Sequence, residues 1–264
     1  MNRTLRRLVG LLAGLLLVPT AALAAPPASP APRAVEGSPA ERDANDLLKK
    51  MDAVTSGYAD QEMDVDLVIK DVDGSEKVYG MTVWQQGAKR LVRFTSGETK
   101  GMATLIDGDR MYVFMPGFKK IRRIAAHNMK QAFAGSDMSN ADMSTIAWAD
   151  DYDVTFEKET DTQFVLRGKP KPGKNIEYAS VLLYIAKDGY YQDAIDYFND
   201  KGEKVKEFVG KNKQAWPGNV QRFQLLIMRD PRTGHSTEMR LKTFKVNQGL
   251  ADDHFTKRQL QWGH

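Results

Sequence analysis

Residues able to do covalent chemistry are few and scattered in this chain. Ser136 and Asp137 are adjacent and His127 precedes them, so a hydroxyl, a carboxylate and a base could form one trio for a hydrolase or isomerase. Gly135-Ser136-Asp137 lacks the G-x-S-x-G pattern, however, and no strand-turn-helix pattern frames it. His235, His254 and His264 show neither H-E-x-x-H nor paired ligand spacing. His235 and Glu238 are three apart, which on a strand puts them on opposite faces. Asp150, Asp151 and Asp153 cluster without the glycine and alternation of a calcium loop, and read as solvated loop acids. The chain has no cysteine, which excludes disulfides, thiolate metal sites and cysteine nucleophiles. No catalytic residue, metal or cofactor is assigned, and the chain reads as a non-enzyme.

What the sequence offers instead is soft apolar surface. Of twelve methionines, Met102, Met111, Met115, Met129, Met138 and Met143 fall in one central segment, with Phe114, Phe118, Phe133 and Trp148 among them. Methionine is flexible and polarisable, and suits surfaces that accept variable apolar partners. The stretch from Met129 to Trp148 is therefore a candidate movable lid. With inward strand positions it supplies the expected cavity set: Met81, Val83, Met111, Phe114, Phe118, Met129, Phe133, Met138, Met143, Trp148 and Leu225. Ordinary core filling is the competing reading for each of them. Lys119, Lys120, Arg122 and Arg123 form the strongest charge run. They fit contact with acidic headgroups or an acidic partner, or a strand whose charges discourage edge pairing.

The elements that must position these residues follow from periodicity. Ser38-Pro39-Ala40-Glu41 is a capping box with proline at the first helical position. Ala44, Leu47, Leu48, Met51 and Val54 then recur at helical spacing up to Gly57, predicting a helix over Pro39 to Ser56. From Gln61 the period becomes two, with turn signals at Asp73-Gly74, Asp107-Gly108, Asp188-Gly189 and Pro231 to Gly234. About eleven hairpin-linked strands are expected, continuing to Val246, interrupted between Ala125 and Ala149 by two short helices or a helix and a loop. Ser139 or Asn140 is the expected cap there. The fold class is mainly β with helices, a strongly curved antiparallel sheet forming an open half-barrel.

The N-terminus reads as a secretory signal over residues 1–24. Arg3, Arg6 and Arg7 precede the apolar run Leu8 to Val18, and Ala22-Leu23-Ala24 offers a cleavage site. That run is too short to span a bilayer. Residues 25–37 read as a flexible Pro/Ala-rich leader, and residues 38–264 as one domain. Without the three arginines of residues 1–24, which carry no acid, the formal charge falls from +4 to +1. So neutral a surface argues against nucleic-acid binding. A monomer in the periplasm is expected.

Three segments resemble the outer-membrane lipoprotein-sorting proteins, the LolA/LolB-like group. Phe114-Met115-Pro116-Gly117-Phe118-Lys119-Lys120-Ile121-Arg122-Arg123-Ile124 is similar to that family's aromatic-x-Pro-x-x-Lys-Lys-x-Arg-Arg-Ile segment. Gly135-Ser136-Asp137-Met138-Ser139-Asn140-Ala141-Asp142-Met143 resembles the Gly-Ser-Asp-aromatic segment that follows it, with Met138 and Met143 where bulkier aromatic and aliphatic residues are usual. Phe255-Thr256-x-Arg258-x-Leu260 resembles the closing segment. The family's single ligand-gating arginine matches no position on sequence alone. The resemblance implies a half-closed barrel, helices over its open side, and an apolar cavity for acyl chains. It also implies a periplasmic carrier that passes lipid or lipoprotein from an inner-membrane transporter, of the ABC or resistance-nodulation-division class, to an outer-membrane acceptor. A lipid-sensing module that regulates a partner on the same scaffold is the alternative.

Overall fold

A computed structural model describes residues 39–262. The expected signal and leader, Ser38 and the Glu41 side chain of the expected capping box, and His264 lie outside the described residues. Helix α1 spans Pro39–Ser56, as its spacing predicts. Ala44, Leu48 and Met51 make its fully buried stripe. Truncating a large side chain there costs about 2–5 kcal/mol. At Gly57 the N–H donates to Ala53 O at 3.0 Å. A Cβ on Gly57 would lie 2.4 Å from that oxygen, so only glycine ends the helix this tightly.

Thirteen antiparallel strands form one open sheet. The first run is β1 (Gln61–Lys70), β2 (Glu76–Gln86), β3 (Lys89–Phe94), β4 (Ala103–Asp107), β5 (Arg110–Met115) and β6 (Lys120–Arg123). The second is β7 (Tyr152–Glu159), β8 (Gln163–Pro170), β9 (Ser180–Ala186), β10 (Gln192–Phe198), β11 (Lys204–Trp216), β12 (Val220–Arg229) and β13 (Ser236–Val246). Each run is a meander, and the two meet where β1 pairs with β13. The count corrects the expected eleven. Strand β6, with its Lys-Ile-Arg-Arg sequence, is the edge strand that one of the two readings of the charge run expects. There its exposed cations discourage further pairing. Strand β11 runs on through a polar stretch to Trp216.

This order places β6 and β7 at opposite edges although they are consecutive in the chain. The connection between them, residues 124–151, therefore has to cross a face of the sheet. It holds two short helices, α2 (Asn140–Ser144) and α3 (Trp148–Asp151). Strands β2 and β10 are five spacings apart, roughly 24 Å in a flat sheet. Both nevertheless line one internal cavity, so the sheet curls around it.

Alternation along the strands separates two apolar clusters. The larger joins Val92, Ile106 and Met111 with α1, the connection and strands β7 to β12. The smaller, on the other face, joins Leu91, Leu105, Tyr112 and Phe114 with Phe255 and Leu260. Leu260 belongs to the C-terminal helix α4 (Lys257–Trp262), which packs over β4 and β5. No helix among the described residues is long and apolar enough to cross a membrane.

Candidate functional site

Beneath the connection lies a cavity of about 240 Å³. Its walls are mostly apolar: Met63 and Val65 on β1, Val83 on β2, Ile195 on β10, Met228 on β12 and Phe244 on β13. Met138, Met143 and Trp148 face it from the connection, and Thr55 and Ser56 close it at the end of α1. Usual ligand pockets hold about 300–1,000 Å³, so a long chain fits only if the covering segment moves.

The covering segment is tied down by polar contacts at several places, among them Ser56 Oγ to Ile146 O at 2.7 Å and Lys171 Nζ to Ala149 O at 2.6 Å. Ser139 caps α2: its Oγ accepts from Asp142 N at 3.1 Å, while Asp142 accepts from Ser139 N at 2.8 Å. The same Asp142 accepts from Tyr178 Oη at 3.0 Å, with Lys206 Nζ at 3.8 Å. Desolvation nonetheless raises the Asp142 carboxyl above its ordinary value, and it raises Tyr178 too. Upstream, Asp137 N donates to Thr237 Oγ1 at 2.9 Å, the Thr237 hydroxyl donates back at 2.6 Å, and His235 Nδ1 lies 2.7 Å from the carboxylate. Downstream, Asp52 of α1 accepts from the first amides of α3, Trp148 N at 2.9 Å and Ala149 N at 2.8 Å. Burial raises that carboxyl as well. Finally, Arg90 Nη1 on β3 donates to Met143 O at 2.6 Å.

Arg90 belongs to a polar row that crosses the apolar wall. Its Nε and Nη2 donate to Gln85 Oε1 at 3.1 and 2.8 Å. Gln85 faces Gln61 across β2 and β1. Gln61 Oε1 accepts from Arg222 Nη2 at 2.8 Å, and the same nitrogen donates to Thr55 O. Arg222 also lies 4.9 Å over the Phe244 ring. Desolvation lowers both guanidinium groups to about 10, and the Arg222 charge adds to the effect on Arg90. Neither arginine has a carboxylate partner among the described residues.

The expected site residues divide among four environments. Val83, Met138, Met143 and Trp148 line the cavity. Met81, Met111 and Phe133 are buried in the larger cluster beside it, and Met129 packs half-buried against that cluster. Phe114 is a correction: three residues from Met111 on a strand, it falls on the opposite face, under α4. Leu225 is another, for it pairs with the exposed Arg240 while its neighbour Leu226 lines the cavity. Phe118 is a third correction: outside the cavity, it is 67% exposed at the tip of the β5–β6 hairpin, with Lys119, Lys120, Arg122 and Arg123 exposed beside it. The cap choice resolves to Ser139.

The alternative catalytic trio does not assemble. Ser136 Oγ donates to Phe133 O at 2.7 Å, Asp137 is engaged by Thr237 and His235, and His127 sits exposed in the 3-10 turn Ala126–Asn128. Asp151 pairs with Lys174 at 2.7 Å. Among the described residues no group of three or more His, Cys, Asp or Glu is placed to hold a metal ion. Sequence reading passed over Gln61, Gln85, Arg90 and Arg222. Each sits on a strand where a polar residue normally signals a solvent face; their placement in one row is the signal, and it exists only after pairing.

No curated protein matches the sequence. Solved structures share the fold. A DUF1329 family protein from Desulfovibrio piger is 22% identical with a TM-score of 0.78, covering 85% of this chain and 100% of its own. A domain named for outer membrane lipoprotein sorting, from Vibrio parahaemolyticus, is 20% identical with a TM-score of 0.75 over 84% and 99%. A LolA superfamily protein from Nitrosomonas europaea is 22% identical with a TM-score of 0.69 over 81% and 98%. A protein-family model described as "Uncharacterized protein" matches residues 86–262. The chain thus belongs to the family of that model, and it carries the open-sheet fold of the outer-membrane lipoprotein-sorting, LolA-superfamily proteins.

Proposed function

We propose that this protein is a non-enzymatic periplasmic carrier. It takes acyl chains of a lipid or lipoprotein into the cavity and shuttles them from the inner toward the outer membrane. The observation that carries this reading is the cavity, walled by Met63, Val83, Ile195 and Met228 and roofed by Met138 and Met143. Sheltering a methylene from water is worth about 0.8 kcal/mol, so a chain of about fifteen offers on the order of 12 kcal/mol before ordering costs.

Capture and release need no covalent step. The roof rests on a few polar ties, so its opening exposes the chain to a tighter acceptor. Arg90 on β3, which holds the backbone of Met143, is one of the ties that link the roof to the sheet, with Thr237 on β13 another. Delivery of cargo by an inner-membrane transporter and its removal by an outer-membrane acceptor complete the reading. The exposed cations at the β5–β6 hairpin are a contact surface for anionic headgroups or an acidic partner.

The test is native mass spectrometry of protein purified from the periplasm, with identification of extracted lipid. Met138→Asp and Met143→Asp together are expected to abolish lipid co-purification while the fold persists by circular dichroism. Unchanged lipid content in that variant would remove the roof from the binding site.

A further inference from the structure

We propose that the cavity receives an acyl chain carrying one oxyanionic head, a carboxylate or a phosphate, and that Arg222 and Arg90 bind that head inside the wall. This deepens the carrier reading and rests on it. Three observations support it. First, the wall holds two guanidinium groups that hydrogen-bond only to neutral acceptors: Gln85 Oε1 and Met143 O for Arg90, Gln61 Oε1 and Thr55 O for Arg222. A desolvated cation without a counter-charge is costly, and an incoming oxyanion supplies the missing charge.

Second, the donors are not exhausted. Arg222 bonds through Nη2 alone, leaving Nε and Nη1 without a partner. A guanidinium in that state presents a fork matched to carboxylate or phosphate oxygens. The carboxylate in the wall, Asp142, does not fill the role, because Ser139, Tyr178 and Lys206 already engage it.

Third, Gln192 also lines the cavity, and its Oε1 is buried without a hydrogen-bond partner. A purely hydrocarbon ligand leaves that acceptor unsatisfied; of the two anionic heads, a singly protonated phosphate carries a hydroxyl that donates to it, whereas an ionised carboxylate only accepts.

The experiment is displacement of the neutral dye N-phenyl-1-naphthylamine from the mature protein. The competitors share a hexadecyl or hexadecanoyl chain: hexadecanol, hexadecanoate and hexadecanoyl lysophosphatidate. The expected result is that at least one anion binds about tenfold or more tightly than hexadecanol, the ranking of the two naming the head. In Arg222→Met the anion-to-alcohol affinity ratio is expected to fall toward one. Arg222→Lys, which keeps the charge and loses the fork, is expected to retain part of the preference. Equal binding of all three competitors to the unmodified protein overturns the head assignment and leaves the carrier reading standing. A ratio that persists in Arg222→Met overturns the role of Arg222. If neither dye nor any competitor binds, the carrier reading fails and this inference fails with it. The comparison on the unmodified protein decides even if a variant does not fold.

Discussion

Gln61 and Gln85 face each other across β1 and β2, and each accepts from a different desolvated arginine: Gln61 from Arg222 at 2.8 Å, Gln85 from Arg90 at 2.8 Å. The pair thereby carries two positive charges through an apolar wall. It also links the roof to the floor, because Arg90 reaches on to Met143 O and Arg222 to Thr55 O at the end of α1. The consequences can be measured separately.

Replacing Arg90 by Met removes the tie to Met143 O. A hydrogen bond from a charged donor contributes about 1.5–3 kcal/mol, so opening of the roof becomes roughly ten- to a hundredfold more frequent. Hydrogen exchange is expected to speed up across residues 138–148 and to change little in β8 and β9. Uniform acceleration through the whole sheet would show that Arg90 supports the fold rather than the roof.

Asp52→Ala leaves the amides of Trp148 and Ala149 without their acceptor. Loss of a helix-terminal cap costs about 0.5–2 kcal/mol. Urea denaturation should show a lower midpoint with an unchanged slope, and Asp52→Asn should recover part of the loss.

Asp142 makes stability pH-dependent in a definite direction. Desolvation raises its carboxyl in the folded state above the ordinary 3.8, so the folded chain holds the proton more tightly than the unfolded one. Its contribution is fully present below the ordinary value and is lost as pH rises through the raised one. Asp52 acts in the same direction. Denaturation midpoints across that window should therefore decline less with rising pH in Asp142→Asn than in the parent. Identical pH profiles would mean that Asp142 ionises as freely in the fold as out of it.

Charge reversal of Lys119, Lys120, Arg122 and Arg123 tests the hairpin. Each cation near an anionic bilayer contributes about 1 kcal/mol. Co-sedimentation with phosphatidylglycerol vesicles is expected to drop sharply in the fourfold glutamate variant, and Phe118→Ser to weaken it further. If binding to vesicles is unaltered, the cations serve only to protect the edge strand β6.

Much of the scaffold was legible in the sequence. The helical spacing of Ala44, Leu48 and Met51 marks α1 to its last residue, and alternation at Met63, Val65, Leu67 and Ile69 marks β1. Both are local patterns, set by repeats of 3.6 and two residues against a single apolar surface. The break in alternation after Ala125 likewise announced a segment that is not sheet, and Ser139 with Asp142 carries its cap in four consecutive residues.

The sequence is ambiguous where a local pattern has two readings. Lys119 to Arg123 had two readings, and the charged edge strand is the one that the fold contains. Phe114 and Leu225 are apolar residues on strands with apolar neighbours on both faces, and a one-residue choice of face sends them away from the cavity.

By itself, then, the sequence determined the strands, the leading helix and the apolar character of the central segment, because short-range periodicity and turn chemistry encode them. Only the tertiary structure decided that residues 124–151 roof a cavity, since that follows from β6 and β7 lying at opposite edges once β1 pairs with β13. It alone also decided that Arg90, Gln85, Gln61 and Arg222 form one row. Their sequence separations carry no trace of it, because lateral pairing between strands, and not any repeat along the chain, brings them into register.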